Sequence, residues 1–256
     1  MNGRPSRVAS QRGVSLVEAT VVLMVLAALT SVLAPSMADY VNDVRQVTAA
    51  KDVATIGSAI EQVMRDIPVP CLSLSGASCA LDADGRVELL VSGPDSLMNL
   101  PAVAAAAYTL PNASTASGPS LNWGGGTGEV ASTRRDEMDH QFLVNEPDGT
   151  AADGYAGPSF TSGGGYRAGN GWRGPYLGGP IGLDPWSHAY QVNTVFLAVA
   201  SDAAAGTGEG QRGGGWTSNV MVVSAGADRT IRTPFGGAQA GPVGDDVVYI
   251  VQGGTR

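Results

Sequence analysis

The side chains able to do chemistry are few: two histidines, two cysteines and scattered carboxylates. Asp136, Glu137, Asp139 and His140 fall within Arg134-Arg135-Asp136-Glu137-Met138-Asp139-His140, a grouping that could serve acid–base work, but such a charge run is ordinarily a solvated face. His188 is far from His140, and neither stands at a spacing that links it to a nucleophile or a metal. A G-x-S-x-G elbow, a phosphate-binding P-loop and an H-E-x-x-H helix are all absent. Asp82-Ala83-Asp84-Gly85 has the opening spacing of a calcium loop, but the twelfth position is Gly93 where a bidentate Glu is needed, so a hairpin turn is expected. The residues point to a protein that is not an enzyme.

The cysteines, Cys71 and Cys79, lie close together after a helix expected to end at Pro68. In an oxidising compartment they would close a small disulfide loop, and in the cytosol they would remain two thiols. A net charge of -8 argues against nucleic acid and leaves cations as natural partners. With 36 glycines and 15 prolines, much of the chain is committed to turns, so one modest core is expected.

The remaining carboxylate of interest is Glu18, because of where it stands. Residues 14–34 read VSLVEATVVLMVLAALTSVLA, long enough for a helix to cross a bilayer and carrying one charge. Arg4, Arg7 and Arg12 precede this run and the next positive charge is Arg45, which orients the segment N-terminus in and the bulk of the chain out. A carboxylate inside lipid costs a few kcal/mol on insertion scales. Glu18 therefore either has a partner there or sits near enough to the membrane surface to stay hydrated.

Arg12-Gly13-Val14-Ser15-Leu16-Val17-Glu18 resembles the processing site of type IV prepilins and pseudopilins. The resemblance implies that residues 1–13 are a leader, that a prepilin peptidase cuts after Gly13 and methylates Val14, and that Glu18, fifth after the cut, serves assembly. Val14 departs from the aromatic residue usual there. Elementary physics supplies a reason for the Glu: a helix beginning in lipid with a free amine presents positive charge and unpaired N–H groups, which a neighbour's carboxylate satisfies. Pro35 falls where pilins often carry a helix-bending proline. The competing reading is a secretory signal peptide cut after Ser36-Met37-Ala38, but the apolar run is longer than such segments and Glu18 interrupts it.

Beyond Pro35, Tyr40, Val44, Val47, Val53, Ile56, Ile60, Val63 and Ile67 recur mostly at steps of three or four. One helix is expected, apolar over 14–35 and amphipathic over 36–67, until Pro68 and Pro70 stop it. Residues 88–92, 189–200, 219–224 and 246–252 are rich in β-formers and bounded by Gly and Asp, so a small antiparallel sheet is expected to cover the amphipathic half. The fold class is α+β, in the pilin-like layout, with residues 68–256 forming the head. Glycine clusters at 124–126 and 163–165 mark about 111–179 as an irregular insertion.

Two further stretches narrow the resemblance. Gly174-Pro175-Tyr176-Leu177 and Asp184-Pro185-Trp186-Ser187-His188-Ala189-Tyr190 are similar to the G-P-Y-L and D-P-W segments of the major pseudopilin of type II secretion systems. Read alone, they are a turn and core aromatics. Ser224 to Asp228 and Gly244-Asp245-Asp246 resemble the loop in which that family binds calcium, with Thr230 to Gly241 lengthening the connection. Calcium takes six to eight oxygens, and Asp228, Asp245 and Asp246 would supply the charged share. The plain alternative is that Asp245 and Asp246 start the last strand facing water.

The resemblance implies a single-pass inner-membrane protein with a periplasmic head, assembling with copies of itself into a pseudopilus that drives protein export. Minor pseudopilins, prepilin peptidase and the inner-membrane assembly platform are its implied partners. The rival readings are a type IV pilin for adhesion, motility or DNA uptake, and a membrane-anchored extracytoplasmic binding module.

Overall fold

The computed structural model describes residues 15–67, 71–74, 87–93, 100–105, 108–109, 120–123, 135–158, 171–197, 219–236 and 241–251. Gly13, Val14, Cys79, the turn expected at 82–85 and both glycine clusters lie outside them. One helix, α1, runs Leu16–Asp66. By contacts the chain divides into two units, Met1–Val44 and Arg45–Arg256.

In the first unit α1 is built from Leu, Val, Ala and Met, and the hydroxyls among them are turned back on the helix. Thr20 donates to the Val17 carbonyl at 2.8 Å, Thr30 to Leu26 at 3.0 Å, Ser31 to Ala28 at 2.8 Å and Ser36 to Leu33 at 2.9 Å. Each hydroxyl thus satisfies itself without water, as an apolar environment requires. The large apolar side chains of this unit are exposed, from Leu16 to Val44.

The second unit folds around the rest of α1. Ala49, Val53, Ile56, Ile60, Val63 and Ile67 are buried at helical spacing, the pattern of a helix with one covered face. Tyr40, Val44 and Val47 belong to the same expected stripe but are exposed by 65%, 46% and 70%. The stripe that is covered starts only at Ala49.

The strands are β1 Leu89–Val91, β2 Ala102–Val103, β3 Tyr108–Thr109, β4 Ser120–Leu121, β5 Arg135–Glu137, β6 Gln191–Val192, β7 Val220–Ser224, β8 Thr230–Ile231 and β9 Val247–Val251. Five form the main sheet in the order β5-β1-β6-β7-β9, and β2-β8 and β3-β4 are separate pairs. The expected antiparallel sheet is corrected to a mixed one: β5 runs parallel to β1, pairing Leu90 with Asp136, while the other three pairings are antiparallel. A parallel pair needs a long crossover, and the chain between β1 and β5 supplies it. Of the strand expected over 189–200, the described residues 189–197 hold two in a strand, Gln191 and Val192. Asn193 ends it by spending its side-chain amide on the backbone, accepting from Met221 N at 2.6 Å and donating to Phe235 O at 2.6 Å, and a 3-10 turn follows at Thr194–Phe196.

Strand β7, Val-Met-Val-Val-Ser, is buried at every position because both of its faces are covered. Val220 and Val222 join Leu90, Val192 and Val251 against α1, while Met221 and Val223 join Leu89, Val91, Trp123, Ile231 and Phe235 in a second core behind the sheet. Met138, Phe142, Tyr155 and Leu177, from the stretch expected to be an irregular insertion, belong to the core on the α1 side. Cys71 is buried and disulfide-bonded, and the only other cysteine in the sequence is Cys79.

Candidate functional site

Three places bear on function, and the first is the start of α1. Glu18 lies in the first turn and is the sole charge between Ser15 and Asp39. A carboxylate there meets the positive end of the helix dipole. The helix is long and apolar enough to cross a membrane. Pro35 falls within the span of α1, which continues past it.

The second is the pair of aromatic segments, which tie the head to the amphipathic half of α1. At the helix C-terminus the Asp66 carbonyl accepts from Gly171 N at 2.6 Å, and the Asp66 carboxylate accepts from the Tyr176 hydroxyl at 3.1 Å. Tyr176 stands edge-on to Trp172, ring centres 5.6 Å apart, and its backbone N–H donates to Phe142 O at 2.7 Å. About four turns up the helix, Asp52 accepts from the Tyr190 hydroxyl at 2.9 Å. Burial and the adjacent Asp52 carboxylate push the Tyr190 hydroxyl's pKa well above the ordinary range. It therefore remains a donor.

The D-P-W turn is held by its first residue. Buried Asp184 accepts from Trp186 N at 2.9 Å and His188 N at 2.8 Å with one oxygen, and from Ser224 Oγ on β7 at 2.7 Å with the other. His188 bonds the Trp186 carbonyl at 3.0 Å, a local role in keeping with its place in a turn. Asp184 thus closes the turn and fastens it to the sheet.

The third is the acidic loop between β7 and β9. Gly226, at φ 67, lets the chain pass so close that a β-carbon there would stand 2.1 Å from Asp245 O. That approach brings Asp228 N to Asp245 Oδ2 at 2.7 Å. The Arg232 guanidinium is ion-paired with the Asp228 carboxylate and lies 3.9 Å from Asp245 Oδ1. Asp246 is buried, and its Oδ2 accepts from Arg232 N at 2.8 Å, Thr233 N at 2.6 Å and Thr233 Oγ1 at 2.7 Å, which corrects the alternative of a strand start facing water for this residue. Burial raises its carboxyl pKa above the ordinary value against the pull of those donors.

These carboxylates can be tested against calcium. Asp246 Oδ1 is buried without a hydrogen-bond partner and is an oxygen that could take an ion. The other carboxylates are engaged by Arg232 and by backbone N–H groups, and among the described residues no group of three or more His, Cys, Asp or Glu is arranged to hold a metal.

One cluster escapes sequence reasoning. Asp136 is not on a solvated face: it is 5% exposed and accepts from Glu137 N at 2.8 Å, Gln141 Nε2 at 2.5 Å and Asp148 N at 3.2 Å, with His140 Nδ1 at 2.7 Å. Gln141 also accepts from the Tyr155 hydroxyl at 2.6 Å, and Ser73 N donates to that hydroxyl at 2.8 Å. The network joins β5, the helical turn His140–Val144 and the strand-like segment at Ser73. Among the described residues it presents no nucleophile beside His140. It reads as internal scaffolding.

No family model, no curated protein and no solved structure matches this chain.

Proposed function

We propose that the chain is a structural, non-catalytic subunit of a type II secretion pseudopilus, similar to the major pseudopilin, assembling through its N-terminal helix to drive protein export. The observation that carries the reading is one helix with two contrasting halves. Its first half exposes its described large apolar side chains with a single carboxylate in its first turn, and one face of its second half, from Ala49 on, is buried by an α+β head. Such a chain can rest in a membrane and then exchange lipid for neighbouring helices, while the head stays folded. A neighbour's Glu18 would pair with the amine of Val14 and set the axial step. Contacts that repeat without closing make a fibre.

The resembled G-P-Y-L and D-P-W stretches favour the pseudopilin over a surface pilin, since the first bonds α1 at Asp66 and the second bonds α1 at Asp52 and β7 at Ser224. In this reading the head lies in the periplasm and the chain is anchored in the inner membrane before assembly, with the prepilin peptidase, the assembly platform and minor pseudopilins as partners. The resemblance also implies calcium at Asp228, Asp245 and Asp246, but the Arg232 guanidinium already stands beside Asp228 and Asp245.

The decisive experiment is the mature N-terminus, read by mass spectrometry on protein from a host with prepilin peptidase. A chain starting at methylated Val14 is expected. A chain starting at Asp39, or one retaining Met1, would replace this reading with an exported or membrane-anchored binding protein.

A further inference from the structure

We propose that the Arg232 guanidinium is the resident cation of the acidic loop, so that the head closes this loop without a divalent ion. Arg232 touches all three acids: its side chain is ion-paired with Asp228 and lies 3.9 Å from Asp245 Oδ1, and its backbone N–H donates to Asp246 Oδ2 at 2.8 Å. The loop is shaped around it. Gly244, at φ 75, stands where a β-carbon would lie 3.3 Å from Arg232 Nη1 and 3.7 Å from Cδ, so the absence of a side chain there leaves room for the guanidinium. Gly226 brings the Asp245 backbone in, which lets Asp228 N reach Asp245 Oδ2.

Around this core of contacts the segment is fixed to the second hydrophobic cluster. Ile231 and Phe235 are buried there, β8 pairs with β2, and Trp123 Nε1 donates to Thr233 O at 2.7 Å. Arg232 thus projects from a backbone that is held on both sides. A guanidinium keeps its charge throughout the accessible pH range and offers donors in a fixed fork, so it offsets one of the two negative charges of Asp228 and Asp245 with no dependence on ion supply. A calcium ion approaching the same carboxylates would meet a positive charge and find most of their oxygens taken. This inference does not depend on the filament reading, which the mature N-terminus tests separately.

The experiment is thermal unfolding of the full chain in detergent, with EDTA or with calcium chloride at about 1 mM, a concentration that saturates or half-saturates extracellular calcium modules. The wild-type midpoint is expected to be the same in both conditions, while Arg232→Gln in EDTA unfolds about 2–4 °C lower. A wild-type midpoint that rises with calcium, or an Arg232→Gln midpoint equal to the wild type in EDTA, overturns the proposal. Should the Gln variant not fold, Arg232→Lys serves instead. It keeps the charge and is expected to fold with a smaller loss, whereas failure of the Lys variant as well would show that charge is not what the loop requires.

Discussion

The ring of Tyr249 on β9 lies so close to Gly57 of α1 that a β-carbon on Gly57 would stand 2.2 Å from both Cδ1 and Cε1. Glycine inside a helix costs about 1 kcal/mol relative to alanine, so its presence there reflects the space the ring takes. Gly57→Ala is expected to destabilise the head by about 1–2 kcal/mol, the overpacking cost outweighing the gain in helix propensity. In a Tyr249→Ala background the same substitution should become neutral or stabilising. A thermal melt of the four variants reads the reversal, and a stabilising Gly57→Ala in the wild type would mean that the ring simply swings aside.

Tyr190 and Asp52 give a second handle on how the head grips α1. The phenol is buried and donates to a carboxylate at 2.9 Å, a bond of the stronger, charge-assisted kind. Tyr190→Phe is expected to cost about 1.5–3 kcal/mol in denaturant unfolding. Asp52→Asn should cost less, because the amide can still accept, and Tyr190→Phe with Asp52→Ala should fall short of the sum of the singles. Additive effects would mean the pair is adjacent without being coupled.

The pH dependence of stability follows from His140. Its pKa is raised above the ordinary 6.5, chiefly by the hydrogen bond to Asp136, with Coulombic support from Asp136, Glu137 and Asp139 and opposition from burial. The folded state therefore holds this proton more tightly than the unfolded one. The contribution is fully present below pH 6.5 and is lost as pH rises through the folded value, so stability should decline upward from pH 6.5. His140→Gln should flatten that slope in unfolding curves taken between about pH 6 and 8, the range where histidine titrates. An unchanged slope would assign the decline to other groups.

The elements that could be read in advance are those whose residues carry a period. Val53, Ile56, Ile60 and Val63 announced the buried stripe of α1, and β1, β7 and β9 sat inside apolar runs bounded by turn residues. What was hidden depends on partners distant in sequence. Arg135-Asp136-Glu137 has the composition of a solvated turn, yet it is a strand, because Gln141, His140 and the Asp148 N–H satisfy Asp136 where water cannot. Met138 and Phe142, four apart and fully buried, were the available signal of helical packing there. In the acidic loop the three carboxylates were legible, but Arg232 was not singled out. Its role appears only when β8 sets its backbone beside Asp246.

The disulfide at Cys71 should matter thermodynamically. Cys71 is buried beside Leu72, and a bridge of the short span available to Cys71 and Cys79 is worth about 2–3 kcal/mol in the chain-entropy account. Replacing both cysteines by serine should lower the unfolding midpoint, and dithiothreitol should lower the wild type to a similar extent while leaving the double variant unchanged. Equal midpoints for oxidised and reduced wild type would remove any stabilising role.

The most direct mechanistic test is Glu18. In the filament reading the carboxylate is kept in an apolar helix because a neighbouring subunit's N-terminal amine pairs with it. On insertion scales a carboxylate in mid-membrane costs about 2.5–3.5 kcal/mol, and less near the surface. Glu18→Ala should therefore leave membrane insertion unchanged or improved, and leave the head folded, since α1 around Glu18 is exposed and the head packs against residues beyond Ala49. Filament yield, measured by shearing and sedimentation, should fall by an order of magnitude or more if the amine pairing sets the subunit step. Glu18→Asp, which keeps the charge on a shorter arm, should recover only part of it. Normal filaments from Glu18→Ala would remove the pairing and leave Glu18 as a carboxylate hydrated at the membrane surface.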